Sequence, residues 1–221
     1  MVRAMHIALI RHGQTDWNLQ GLMQGRSDIP LNETGREQAR VAASALSSEP
    51  WDAVVSSPLV RARETAELIG SALRVPLGAS YDELIEQEFG EAEGVPVADL
   101  GARWPDRDFE GKEPDEAVGP RGIRALERIA SEHADSRVLV VTHAMVIRHT
   151  LAEISGHDPR HYPRLDNLSW SHVRSNTSVA STGSLPPTDA SWQVLTVAGV
   201  EFGLDIVLDG LERAQRRESR A

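Results

Sequence analysis

The 221-residue chain contains no cysteine, which removes disulfides, thiol nucleophiles and cysteine-based zinc sites together. No apolar run is long enough to cross a bilayer, and Met1-Val-Arg-Ala-Met-His6 leads straight into a short apolar run without the hydrophobic segment of a secretory signal. The expectation is therefore a cytoplasmic protein. Lysine is almost missing as well: Lys112 is the only one, and every other basic residue is arginine. Arginine suits bidentate phosphate recognition, but so global a bias is better read as genomic base composition. Acidic residues outnumber basic ones by 33 to 23, a net charge of −10, and this argues against nucleic acid or an anionic membrane as a general partner, since both need a basic face. It does not exclude a small anionic substrate, because a few arginines in a cleft can dominate the local field.

What the chain does have is an ordinary globular balance, 40% hydrophobic and 25% charged, at a length that supports one well-buried α/β core. The pattern of elements predicts a three-layer sandwich, with a mostly parallel central sheet and helices on both faces. We read residues 1–221 as a single domain, with 81–120 as an irregular cap or insertion and 210–221 as a basic tail.

The apolar run Ile7–Ile10 predicts a strand that stops abruptly at Arg11 and His12, with Gly13 allowing close backbone approach after it. Asn32 predicts the N-cap of a helix to about Leu46, with Ala39, Ala42, Ala43 and Leu46 on its core face. Ala53–Ser56 suits a short buried strand, and Ser57-Pro58 suits the start of a helix to about Leu73. Val75–Ala79 suits a further strand. The acidic, Gly- and Pro-rich stretch 81–120 predicts irregular structure with one short helix near Val97–Arg103. A helix is expected over Arg121–His133, with Ile123, Leu126, Ile129 and Ala130 on one face. Val138–Val141 is the clearest buried strand, ending in Thr142-His143, and Ala144–Ser155 predicts a helix closed by Gly156. Ser169–Arg174 and Trp192–Val197 suit strands on either side of a long Ser/Thr/Pro-rich loop, 175–191.

The run Arg11-His-Gly-Gln-Thr-Asp-Trp-Asn18 resembles the signature of the histidine phosphatase superfamily, the phosphoglycerate-mutase-like proteins. The resemblance continues, in the family's order, through Leu22-Met-Gln-Gly-Arg-Ser-Asp-Ile-Pro-Leu31, Ser56-Ser-Pro-Leu-Val-Arg-Ala-Arg-Glu-Thr-Ala66, Leu84–Gly94 and Val140-Val-Thr-His-Ala-Met-Val-Ile-Arg148. It implies that His12 is the nucleophile taking a phosphoryl group onto a ring nitrogen, that Arg11 and Arg61 hold phosphoryl oxygens, and that His143 is the second active-site histidine with the residue-144 N–H beside it. Spacing alone does not choose between Arg61 and Arg63; the family pattern chooses Arg61. Asn18, Gln24 and Gly25 match positions that contact phosphate or substrate.

Among the clustered carboxylates Glu83, Glu86, Glu88, Glu91 and Glu93, the family pattern fits Leu84, Glu86, Gly90, Glu93 and Gly94 without a gap, which makes Glu86 the general acid. Two departures stand out: Ala144 where the family usually has Gly, and Ala92 where an apolar or aromatic residue commonly precedes the second Glu. The spacing of His157 and His161 is reminiscent of a metal pair, but Pro159 breaks the helix that would align them. The implied chemistry requires neither metal nor organic cofactor.

The resemblance therefore implies a phosphomonoester phosphatase for a small phosphorylated metabolite. A phosphoglycerate mutase is the alternative. Mutases of the family carry a longer, basic, Pro-rich insertion, whereas Gly94–Arg121 is short and acidic here and contains only Arg103, Arg107 and Lys112 before Arg121. A catalytically silent phospholigand-binding protein would be expected to have lost His12 or Glu86, and both are present. Association with a second copy of the chain stays open.

Overall fold

A computed structural model describes residues 4–176 and 192–202. In chain order the main elements are β1 (His6–Arg11), α1 (Asp16–Gln20), α2 (Glu33–Leu46), β2 (Ala53–Ser56), α3 (Val60–Leu73), β3 (Leu77–Ser80), α4 (Leu100–Arg103), α5 (Asp115–Glu132), β4 (Arg137–Thr142), α6 (Ala144–Ser155), β5 (Trp170–Ser175), β6 (Trp192–Val197) and β7 (Val200–Glu201). The sheet runs β3-β2-β4-β1-β5-β6-β7. The first four strands in that order are parallel, and the last three continue it antiparallel.

The side chains of β1 and β4 alternate between two buried faces, as a strand period of two requires. Ile7, Leu9, Val138 and Val140 pack with Leu126 and Ile129 of α5 and Val146 and Leu151 of α6. Ala8, Ile10, Leu139 and Val141 pack on the other side with Ala39, Ala43 and Leu46 of α2 and Ala62, Ala66 and Ile69 of α3. The result is a three-layer α/β arrangement around a mostly parallel core, the predicted class. A third apolar cluster, Phe89, Ala92, Leu100 and Phe109, lies within 81–114 and packs against Met23 and Met145.

Local chemistry explains most boundaries. Asn32 caps α2, its side chain accepting from Gly35 N at 2.9 Å. Gly156 closes α6 in the left-handed region, φ 71°. Gly13 is needed for close approach, since a Cβ there would stand 2.6 Å from the Gly35 carbonyl oxygen.

Several elements differ from expectation. α3 starts at Val60 after an N-cap at Leu59, whose apolar side chain cannot cap; Ser57 lies two residues further back, its hydroxyl accepting from Leu59 N and meeting His143 Nε2. β3 lies at Leu77–Ser80, since Val75 N still bonds back to Gly70 O and closes α3. α5 begins at Asp115, six residues before the expected start, and contains Pro120. Pro120 forfeits one helical hydrogen bond, while Asp115 and Glu116 in the first turn suit the positive end of the helix dipole. The expected short helix near Val97 is a 3-10 turn over Val97–Asp99 followed by α4. The 177–191 stretch and the tail 210–221 lie outside the described residues, within which no helix is long and apolar enough to cross a membrane.

Replacing the α2 cap tests this local account. Asn32→Ala should cost about 1 kcal/mol in urea unfolding, the usual value of a lost N-cap. An unchanged unfolding midpoint would mean that the Asn32–Gly35 bond contributes nothing to the helix start.

Candidate active site

Parallel pairing of β1 with β4 sets Arg11 opposite Thr142, so the residues that follow the two strands, His12 and His143, emerge side by side. His12 N donates to Thr142 O at 3.0 Å, and the two imidazole centroids stand 5.1 Å apart at 56°. β2 ends at the same edge, where Ser57 N donates to Val141 O. This is the carboxyl edge of the parallel strands, where open α/β sheets place their ligands.

His12 is 3% exposed, and its Nδ1 lies 2.7 Å from Gly13 O. A carbonyl can only accept, so Nδ1 carries the hydrogen of that bond and Nε2 of the neutral ring keeps its lone pair. Burial, reinforced by Arg61 and Arg11, pushes the His12 pKa well below 6.5. His143 is fully buried, and its Nε2 lies 2.8 Å from Ser57 Oγ. That hydroxyl accepts from Leu59 N and has its own proton to offer to Nε2; in the tautomer that accepts it, Nδ1 carries the N–H. Burial pushes His143 down too, with Arg61 adding to the effect.

Arg61, the second residue of α3, is 0% exposed and donates to Ser27 O at 2.8 Å and Gly25 O at 2.6 Å. Burial lowers its pKa to about 10, against the pull of Glu86, so it stays a cation at neutral pH. Arg63 points outward to Glu67, so of the two arginines only Arg61 is buried. Arg11 is partly buried and donates to Leu165 O at 2.7 Å.

Glu86 is separated from its neighbours just as clearly. It is 8% exposed; Oε1 accepts from Gln87 N at 2.9 Å and Oε2 from Met145 N at 3.4 Å. Burial raises its pKa, against the Gln87 N–H, Arg61, the Met145 N–H and Arg11. The other carboxylates of the stretch go elsewhere: Glu83 toward Arg128, Glu88 to Arg26, and Glu91 to Glu110 N.

Gln24 is buried, its Oε1 accepting from Thr15 Oγ1, which leaves the amide nitrogen as its donor. Asn18 Oδ1 accepts from Thr15 N and from Asn167 Nδ2, which also donates to His12 O at 2.9 Å. Gly25 sits at φ 51°, where a Cβ would be 2.0 Å from Glu93 Oε1. Ala144 opens α6 directly behind His143. Every sequence-predicted site residue thus lies at this edge of the sheet or on a segment bonded to it. Among the described residues no three His, Asp or Glu converge as a metal would require.

The structure adds residues that the sequence did not single out. Glu93 accepts from Arg26 N, Ser27 N, Ser27 Oγ and Phe89 N, clamping the loop that holds Arg61. Arg121 donates to Glu83 O and Ile85 O while paired bidentately with Glu113, which fixes the segment carrying Glu86. Thr65 Oγ1 accepts from Gly13 N. Glu93 had a signal in its place in the family pattern, and Ser57 had one in its Ser-Ser-Pro context. Asn167 had none.

A family model of the histidine phosphatase superfamily (branch 1) matches residues 7–182. The chain is 39% identical over 168 residues to the uncharacterized phosphatase PhoE of Bacillus subtilis, covering 76% of this chain and 86% of that protein. It is 36% identical over 155 residues to the metal-independent phosphoserine phosphatase of Arabidopsis thaliana, covering 64% and 65%. A phosphoglycerate mutase of Gloeobacter violaceus also matches, at 30% identity over 175 residues, 72% of this chain and 80% of that one. Mycobacterial glucosyl-3-phosphoglycerate phosphatase in complex with VO3 superposes with a TM-score of 0.74 at 25% identity, covering 87% of this chain and 98% of that one.

Burial of the two histidines carries a pH signature. Below about 6.5 the unfolded chain takes up protons that folded His12 and His143 refuse, so their effect is to lower stability as pH falls from there. Each supplies a slope of at most about 1.4 kcal/mol per pH unit. Glu86 acts with the opposite sign, holding a proton when folded that the unfolded chain releases. With these two histidines, and His149 and His172 lowered by burial in the same direction, against the one raised carboxyl, urea unfolding at pH 5.5 should show lower stability than at pH 7.5, and His143→Asn should reduce the difference. Equal or greater stability at pH 5.5 would contradict the neutral pair.

Proposed function

We propose that this chain, which belongs to the histidine phosphatase superfamily, hydrolyses small phosphomonoesters through a phosphohistidine on His12. The observation that carries this reading is a set of three buried nitrogens around His12 with no hydrogen-bond partner among the described residues: the donors Arg11 Nε and Arg61 Nε, and His143 Nδ1, a donor in the tautomer that accepts from Ser57. A buried donor left without a partner costs about 1–3 kcal/mol. Two cationic guanidinium groups and an imidazole N–H beside a nucleophilic nitrogen are what a phosphoryl group would satisfy.

In the first step the His12 Nε2 lone pair attacks phosphorus, the bond to the ester oxygen breaks, and Glu86 gives that oxygen its proton. Arg11, Arg61 and His143 hold the equatorial oxygens, and the Asn18 and Gln24 amides with the Gly25 and Ala144 N–H groups complete the binding of phosphate and substrate. In the second step water attacks phosphorus, Glu86 takes a proton from it, and the P–N bond returns its electron pair to His12. Each group enters in the form the site favours, a neutral imidazole and a carboxyl shifted toward protonation. No step is routed through a metal, in keeping with the name of the Arabidopsis relative.

Phosphatase is preferred to mutase because the interval from Gly94 to Arg121 is short and acidic, and its only lysine, Lys112, is paired with Asp115 at 2.9 Å. The relatives' substrates, phosphoserine and glucosyl-3-phosphoglycerate among them, support a small phosphorylated metabolite here.

Hydrolysis of p-nitrophenyl phosphate should persist in EDTA, and His12→Ala should abolish both turnover and an acid-labile, base-stable phosphate label. Label retained at another residue would move the nucleophile. Glu86→Gln should slow single-turnover phosphorylation of His12 by about 10²-fold with alkyl phosphates, and much less with p-nitrophenyl phosphate, whose phenolate leaves without help. Equal slowing of the two substrates in rapid quench would remove Glu86 from the role of proton donor.

A further inference from the structure

Toward the C-terminal end of α6, on the side of the α5 N-terminus, lies a cavity of about 490 Å³ that none of the residues proposed for the reaction lines. Asp115, Glu116, Gly119, His149, Glu153 and His157 form most of its wall. Its volume falls in the range of small-molecule sites. The two helices approach closely at its edge, where a Cβ on Gly119 would stand 3.0 Å from Glu153 Oε2.

The cavity's polar groups are unevenly satisfied. Asp115 is paired with Lys112 and accepts from Gln87 Nε2 at 2.6 Å. Glu116 and Glu153 have no ion pair or side-chain hydrogen bond among the described residues, so two carboxylates line the cavity without a cationic side chain of their own, Glu116 being eased only by the α5 dipole. Deeper in, His149 is only 7% exposed, and no side chain or carbonyl among the described residues hydrogen-bonds its ring. His157 packs edge-on against Phe202, and its buried Nδ1 has no hydrogen-bond partner among the described residues. Burial keeps His149 neutral, so its ring has a lone pair to offer.

We propose that this cavity binds a small organic cation carrying primary ammonium groups, held by Glu116 and Glu153 at the mouth and by the His149 and His157 imidazoles inside. Three carboxylates repel an anion. An ammonium has three donors and no acceptor, the complement of unpaired carboxylates and imidazole lone pairs. A bare metal ion is the poorer occupant, because no three His, Asp or Glu among the described residues converge on one point and the volume far exceeds one ion.

Isothermal titration calorimetry of the full chain with 1,4-diaminobutane, at fixed ionic strength and pH 7.5, tests the proposal. Saturable one-to-one binding is expected, with no heat from 1,4-butanediol, which has similar length but no charge. Glu116→Gln with Glu153→Gln should weaken binding about tenfold or more, the loss expected for charge-assisted hydrogen bonds. Both side chains are exposed and outside the proposed catalytic set, so p-nitrophenyl phosphate turnover should stay at the wild-type rate and report that the variant is folded. His149→Asn should also weaken the diamine. Absence of saturable binding would overturn the site. So would equal binding by the double variant, which would reassign the heat to general attraction toward a chain of net charge −10.

Discussion

The register between β1 and β4 is the constraint on which the rest of the site depends. With Arg11 opposite Thr142, both strands run out of the sheet at one level and the next residue of each is a histidine. A shift of one residue would also invert every buried side chain of a strand. Ile7 and Leu9 would then exchange layers with Ala8 and Ile10. The same packing that stabilises the core therefore fixes the spacing of His12 and His143. Precision at the edge follows from burial on two faces.

Strand register brings only His12, His143 and Arg11 to the edge; Arg61 and Glu86 arrive on segments of different origin. Arg61 is oriented by carbonyls of the 25–27 loop, and that loop is held by the Glu93 carboxylate, which accepts three bonds from Arg26 and Ser27. Glu86 lies on irregular backbone kept in place by Thr142 Oγ1 donating to Leu84 O and by Arg121 donating to Glu83 O and Ile85 O. Arg26 ties the two loops together through Glu88 and Glu113, the latter also bound to Arg121. Loops without regular hydrogen bonding are thus positioned by charged side chains whose acceptors and donors are satisfied inside the protein.

The division between what could be read from the sequence and what could not follows the same line. The strand Val138–Val141, the helix from Ala144 to Gly156 and the cap at Asn32 depend on local pattern and backbone preference, and they stand where those signals put them. Signals that depend on tertiary partners misled. Ser57 has the composition of a helix cap, but α3 starts three residues later, and its hydroxyl is shared between Leu59 N and His143. Pro120 should interrupt a helix, yet α5 runs through it because one lost bond is small beside the burial of Val118 and Leu126. Glu93 was marked only by its place in the family pattern and Arg121 not at all, since the bonds that make them organisers, to the 26–27 segment and to Glu83 and Ile85, join parts of the chain far apart and no local period encodes them.

Burial is also the single cause that prepares both proposed reacting groups. In water an imidazole and a carboxyl at neutral pH are partly charged and fully charged, respectively. Removing water penalises the charged form of each, which lowers the pKa of His12 and raises that of Glu86. The nucleophile is thereby kept neutral and the acid moved toward holding its proton. Arg11 and Arg61 assist the first effect and oppose the second, because cations repel an imidazolium and attract a carboxylate. A phosphoryl dianion entering beside the two arginines would offset their field, and so would strengthen the hold of Glu86 on its proton as substrate binds. Under the proposed mechanism, protonation of the acid would then be coupled to occupation of the site, and the anion that needs the proton would help to keep it there.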